Sequence, residues 1–286
     1  MASVVVQTQT AHSIQSESVY VILQKGNPEK ARLNLQYPFF LKHLHGNRLI
    51  HDASIILPSQ AVLLDSGTGT AKILPTSSTL HGIDIYSTLF PDTSAHPNVH
   101  FHQQSITCLP PDWSSSFDFV SQTLLTPALT MDEWELALTE IYRILKPGGH
   151  VQFSDADWEQ RYSSGGPGGR KLNSLMLALA ARHSLMPDFS RKVPYLLQKI
   201  GFQGITVETR LLPVGRTLGA DGIHGEMVMK NAVDVFKGAV LRLGGLEDAR
   251  TERDFEALAA SLEDDWANGH EGASGYYVIC ATKPSA

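Results

Sequence analysis

Cysteine is nearly missing from this chain of 286 residues: Cys108 and Cys280 are the only two, far apart, and they exclude a disulfide framework. No apolar run approaches the roughly 18–20 residues that a membrane span requires. There is no basic excess either. Lys and Arg number 23 against 29 Asp and Glu, a net charge of −6, which excludes a broad electrostatic footprint for nucleic acid. The opening MASVVVQTQTAHSIQSES has neither the basic start nor the apolar core of a secretory signal. No internal repeat is present. These absences lead us to expect a soluble, cytoplasmic protein with reduced thiols and no nucleic-acid or membrane partner.

What is present is an alternation of short apolar runs and amphipathic stretches. Ala61–Leu64, LHGIDI (80–85), NVHFHQ (98–103), FDFVSQ (117–122), HVQFSDAD (150–157), ITVETRLLP (205–213) and GYYVICATKP (275–284) read as strands. Helices are expected over part of 20–51, then 131–145, 171–185, 190–202, 227–243 and 251–268. KPGG (146–149) is expected to close the helix at 131–145, with Gly148 or Gly149 as a left-handed cap. RYSSGGPGGRK (161–171) reads as an irregular loop or hinge. Strands alternating with helices at these lengths argue for an α/β fold, a mostly parallel sheet with helices on both faces. The expected organisation is a loose N-terminus at 1–16 and one domain over 17–286. That domain carries N-terminal helices (20–51) and lid insertions (158–190 and 214–268).

VLLDSGTGTA (62–71) is the most informative stretch. An apolar strand runs into Asp65, and Gly67, Thr68 and Gly69 form a turn that lets backbone approach a ligand closely. A dinucleotide loop needs a third glycine at a set spacing to cradle a diphosphate. Residue 71 is Ala, so NAD is disfavoured. Asp84 stands at the end of the second strand, where a carboxylate can accept both hydroxyls of a ribose. Gln104, Ser105 and Ile106 follow the third strand and pair a polar edge with an apolar face suited to adenine.

DSGTGTA, HGIDI, FDFVSQTLL, LTEIYRILKPGGHVQF and YYVICATKP, in this order, resemble the class I S-adenosylmethionine-dependent methyltransferases. ARLNLQY (31–37) and GNRLIH (46–51) are similar to signatures of the fungal small-molecule branch, which includes LaeA-like proteins and gliotoxin-type thiol methyltransferases. The similarity covers roughly residues 20–284. It implies a Rossmann-like, mostly parallel seven-stranded sheet with an antiparallel last strand and a helical cap, binding S-adenosyl-L-methionine. Carried over position by position, it implies that Asp65, Gly67, Thr68 and Gly69 shape the methionine-side loop. Asp84 and Ile85 would hold the ribose, Ser105 and Ile106 border the adenine, and Gln122 line the pocket, with Arg32 and Gln36 closing over the cofactor. The chain departs from the family at Ala71, at Gln104 and Ser105 in place of an acidic residue, and at Tyr37 in place of a histidine. The connection after Ala71 is also shorter than usual by more than a helical turn of about 3.6 residues.

Methyl transfer from an activated donor asks mainly for positioning, with a base for acidic acceptors. Asp155 and Asp157, two residues apart at the end of the fifth strand, are candidate bases, as are His183 and His224. The alternative for both aspartates is a solvated loop or a cap for the next segment. His100 and His102 share a strand face but lack a third ligand, so no metal site is expected. His43, His45 and His51 read as helix-surface or turn residues. LPPDW (109–113) is superficially like a base-holding motif of nucleic-acid amino methyltransferases but precedes the fourth strand rather than following it. The expected activity is methyl transfer to an O or S atom of a small, partly apolar metabolite. The alternative is a methyltransferase fold without transfer, acting as a regulatory partner or a cyclase.

Overall fold

The computed structural model describes residues 27–68, 77–94, 96–160, 166–270 and 275–285. The strands β1 (Val62–Ser66), β2 (Thr79–Asp84), β3 (Val99–Gln103), β4 (Phe117–Thr123), β5 (Leu145–Ala156), β6 (Gln203–Arg210) and β7 (Tyr276–Thr282) form a seven-stranded sheet ordered β3-β2-β1-β4-β5-β7-β6. Only β7 runs antiparallel to its neighbours. The helices are α1 (Asn27–His45), α2 (Met131–Ile144), α3 (Pro167–His183), α4 (Phe189–Ile200), α5 (Gly219–Arg242) and α6 (Glu252–Ala267). The Rossmann-like sheet with its antiparallel last strand is the architecture the resemblance implies.

Both faces are covered. α2 begins at a capping box in which Thr130 Oγ1 accepts from the Glu133 amide and Glu133 Oε2 accepts from the Thr130 amide. It buries Trp134, Ala137, Leu138, Ile141 and Ile144, one helical stripe, and packs with α4 against Leu64, Val120, Val151 and Phe153. On the opposite face α1, α3, α5 and α6 enclose a second core around Tyr276 and Val278. Among the described residues no helix is long and apolar enough to cross a membrane.

Three local expectations are corrected. KPGG does not cap α2, because Leu145 is already extended and opens β5, and Pro147 disfavours the helical region for Lys146. The last carbonyls of α2 are satisfied from outside instead: Lys283 Nζ donates to Tyr142 O at 2.8 Å and to Leu145 O at 2.7 Å. The GPGG stretch is not irregular throughout, since α3 starts at Pro167. Gly168 is there because a Cβ would lie 2.6 Å from the Leu262 amide of α6, and Asp265 of α6 accepts from the Gly169 amide at 2.8 Å, capping α3. Finally, α5 begins at Gly219, so His224 lies inside it rather than ahead of it.

Candidate functional site

The sheet order reverses between β1 and β4, and the carboxyl ends of those strands are where open α/β sheets take ligands. Here Ser66 pairs with Gln122. The Ser66 hydroxyl and both polar atoms of the Gln122 side chain are buried without a hydrogen-bond partner among the described residues. Such groups are costly in a protein interior and mark places where a ligand completes the bonding. Gly67, next in the chain, has φ +69°, and a Cβ would sit 2.7 Å from Leu125 Cδ2, so only glycine leaves this turn open. Thr68 folds the turn back, its amide donating to Ile83 O at 3.0 Å and its hydroxyl to Asp65 Oδ2 at 2.8 Å. Gly69, Ala71 and Pro75 lie outside the described residues.

Beside this turn, Asp84 is 4% exposed and its Oδ1 accepts from the Tyr86 amide at 2.9 Å. Ile85 follows it, half-buried, its carbonyl accepting from Gln103 Nε2 at 3.2 Å. Ser105 shares a 2.8 Å hydrogen bond with Thr107, and Ile106 is buried in the core beside Leu109. The structure thus sets Gly67, Asp84 and Gln122 at adjoining strand ends, with Ser105 and Ile106 just past β3.

A cavity of about 260 Å³ opens from the turn. Asp65, Gly67, Thr68, Arg32, Gln36, Tyr37 and Asp155 line it together with Ser121 and Thr123 of β4; Phe40, Leu124, Trp158, Met229, Phe236 and Tyr276 give it an apolar wall. α1 forms the roof. Within it Arg32 is held by Glu29 through two bonds of 2.8 and 2.5 Å and donates to Gln36 Oε1 at 2.6 Å. Burial pushes the Asp65 carboxyl up to about 6, opposed by the Thr68 hydrogen bond and reinforced by the charge of Asp84. Burial likewise raises Asp155 to about 6, although Oδ2 accepts from the Thr126 amide and Oδ1 from the Ala156 amide, both at 2.8 Å. The Tyr37 phenol is pushed up to about 12 by burial and then by Asp65, so it stays protonated.

Other singled-out residues are placed elsewhere. Asp157 is not among the cavity-lining residues, and neither is Gln122, whose strand neighbours Ser121 and Thr123 face the cavity in its place, nor Asp84, Ile85, Ser105 or Ile106. Asp157 accepts from the Ser190 amide and hydroxyl at 2.9 and 2.5 Å and from the Gln160 amide at 3.0 Å, which fixes the start of α4. His183 ends α3. His224 sits 3.1 Å from Leu35 O and against the Phe39 ring, tying α5 to α1. His100 and His102 do share a face, where His102 lies 3.0 Å from His81 and beside Trp113. Among the described residues no group of three or more His, Cys, Asp or Glu is placed to hold a metal ion. His45 and His51 are buried, not surface residues as their position near a turn suggested. His45 lines the cavity and bonds Ser154, a partner 109 residues away that nothing local in the sequence announces.

A family model described as a methyltransferase domain matches residues 63–149, which span β1 through the first part of β5. The N-methyltransferase gliN of Aspergillus fumigatus is 31% identical over 264 residues, covering 87% of this chain and 91% of that protein. The N-methyltransferase sirN of Leptosphaeria maculans is 29% identical over 228 residues, covering 77% and 78%. The methyltransferase grgD of a Penicillium species is 32% identical over 160 residues, covering 50% and 54%.

Proposed function

We propose, on the premise that this chain belongs to the class I S-adenosylmethionine-dependent methyltransferases of the fungal branch, that its acceptor is a nitrogen of a small, largely apolar metabolite. The chain is a methyltransferase and S-adenosylmethionine is its cofactor. The residues present fit that group: an open glycine turn, unpartnered polar atoms on Ser66 and Gln122, the Asp84 carboxylate, and a roof carrying Arg32 and Gln36. When bound, the cofactor supplies an electrophilic methyl group on a sulfonium.

The likeness to gliN and sirN, both named N-methyltransferases, carries the choice of nitrogen, and Asp155 is the base that serves it. It is a buried carboxylate on the cavity wall, near the apolar side chains of Trp158 and Tyr276, oriented by two backbone amides. A nitrogen acceptor loses one proton over the exchange, and a carboxyl near 6 is deprotonated at neutral pH and still basic enough to receive it. Phe40, Trp158, Met229 and Phe236 exclude water from the acceptor, and α1 holds Arg32 and Gln36 over the cofactor side. Asp65 and Asp155 together disfavour anionic substrates, with Arg32 the one Lys or Arg side chain among the described lining residues, already engaged by Glu29. Asp155 suits such an acceptor, and so does the resemblance. Nitrogen therefore stands ahead of the oxygen or sulfur expected from sequence. The test is transfer of labelled methyl to matched panels of apolar amines and amides, phenols and thiols. Label on the nitrogen panel supports the reading; label confined to phenols or thiols overturns it.

A further inference from the structure

Because α1 roofs the cavity with Arg32, Gln36 and Tyr37, the seating of its C-terminal end decides where those three side chains lie. One buried side chain makes that seat. His45, the last residue of α1 and 7% exposed, places Nε2 at 2.7 Å from Ser154 Oγ and Nδ1 at 3.3 Å from Gln152 Nε2. Gln152 joins the seat. Its Oε1 accepts from the His51 amide at 2.7 Å and its Nε2 donates to Leu49 O at 3.2 Å. A backbone amide only donates and a carbonyl only accepts, so the side-chain amide has one orientation, with Nε2 toward His45. The backbone of Arg48 and Leu49 also hydrogen-bonds the ring. Arg210 of β6 adds a second tie, its Nε donating to Leu44 O at 3.1 Å.

We infer that His45 is a positioning residue for methyl transfer: through its Nε2–Ser154 hydrogen bond it docks the roof helix on β5 and so sets Arg32, Gln36 and Tyr37 over the Asp65–Thr68 turn. With both ring nitrogens engaged inside the protein, His45 is not a base for the acceptor. The inference rests on the cofactor reading above, and the experiment separates the two.

S-adenosylmethionine affinity is measured by calorimetry for wild type, His45→Leu, His45→Gln and Ser154→Ala, each checked for folding by thermal melting. His45→Leu keeps volume and loses the hydrogen bond. The longer amide of His45→Gln reaches the Nε2 position and keeps a hydrogen bond to Ser154. We expect His45→Leu to weaken binding roughly tenfold and His45→Gln to restore it to within about threefold of wild type. A merely structural anchor would lower the melting temperature without moving the affinity of the folded protein. If His45→Leu does not fold, Ser154→Ala removes the same hydrogen bond from the sheet side, and several-fold weakening is expected. Unchanged affinity in the folded Leu variant, or in Ser154→Ala where the Leu variant fails to fold, overturns the inference. Failure of the wild type to bind would instead sink the cofactor reading.

Discussion

Asp65→Asn removes one negative charge from the cofactor turn and keeps the side chain's shape and its ability to accept the Thr68 hydroxyl. The folded protein holds the Asp65 carboxyl near 6 against an ordinary 3.8, a difference of roughly two units and therefore at most about 3 kcal/mol. The side chain is half-buried and faces the cavity, where water screens it, so about 1–2 kcal/mol is the working figure. The sign follows from proton binding. Between pH 3.8 and about 6 the folded state holds this proton more firmly than the unfolded chain does. Stability from this group thus falls as pH rises through that window, and the whole cost is present above it. The Asn variant lacks the cost. Without cofactor at pH 7.5 it should melt above wild type by about 2–6 °C, and the advantage should vanish near pH 4. S-adenosylmethionine brings cationic groups to the site, so it should raise the melting temperature of wild type far more than that of Asp65→Asn. Melting curves of both proteins at several pH values, with and without cofactor, decide the matter. An Asn variant no more stable than wild type at pH 7.5, or one stabilised equally by cofactor, refutes the reasoning.

Asp155→Asn should lower methyl transfer to a nitrogen acceptor by about 10²–10⁴-fold, and wild-type kcat should rise with pH through about 6 as the carboxylate forms; a flat profile in steady-state assays speaks against its role as a base. Gln122→Leu removes two unpartnered buried atoms, so urea unfolding should show no loss of stability while calorimetry shows roughly tenfold weaker cofactor binding. Gly168→Ala drives a Cβ into the α6 backbone at 2.6 Å and should cost about 1–3 kcal/mol in urea unfolding, with cofactor affinity unchanged.

Much of this arrangement was legible in the residues because it is local. The apolar runs and the Thr130–Glu133 box place strands and helix α2 without any tertiary knowledge, and Asp65, Gly67 and Asp84 stand where strand ends must bring them. The errors arise where a distant partner overrides local preference. KPGG looks like a cap until Lys283 arrives from the far end of the chain to satisfy the α2 carbonyls. PGG looks irregular until the backbone of α6 explains why two glycines open a helix. Asp155 and Asp157 share one strand-end pattern, yet one lines the cavity and the other pins α4, a difference set by Thr126 and Ser190. His45 departs from its expected surface place for the same reason, since burial against β5 is invisible in a helix that merely ends near a glycine.

The segment before β1 has a part in both the sheet and the site. Ile50, Ile55 and Leu57 pack on Leu63, Leu80, Val99 and Phe119. That segment continues directly from α1, whose Arg32, Gln36 and Tyr37 roof the cavity. One stretch of chain, 27–60, therefore shields the first half of the sheet and closes the site. Its seat on β5 through His45, Gln152 and Ser154 couples the two tasks, because a shift of α1 that unroofs Asp65 also pulls at the cover over Leu63.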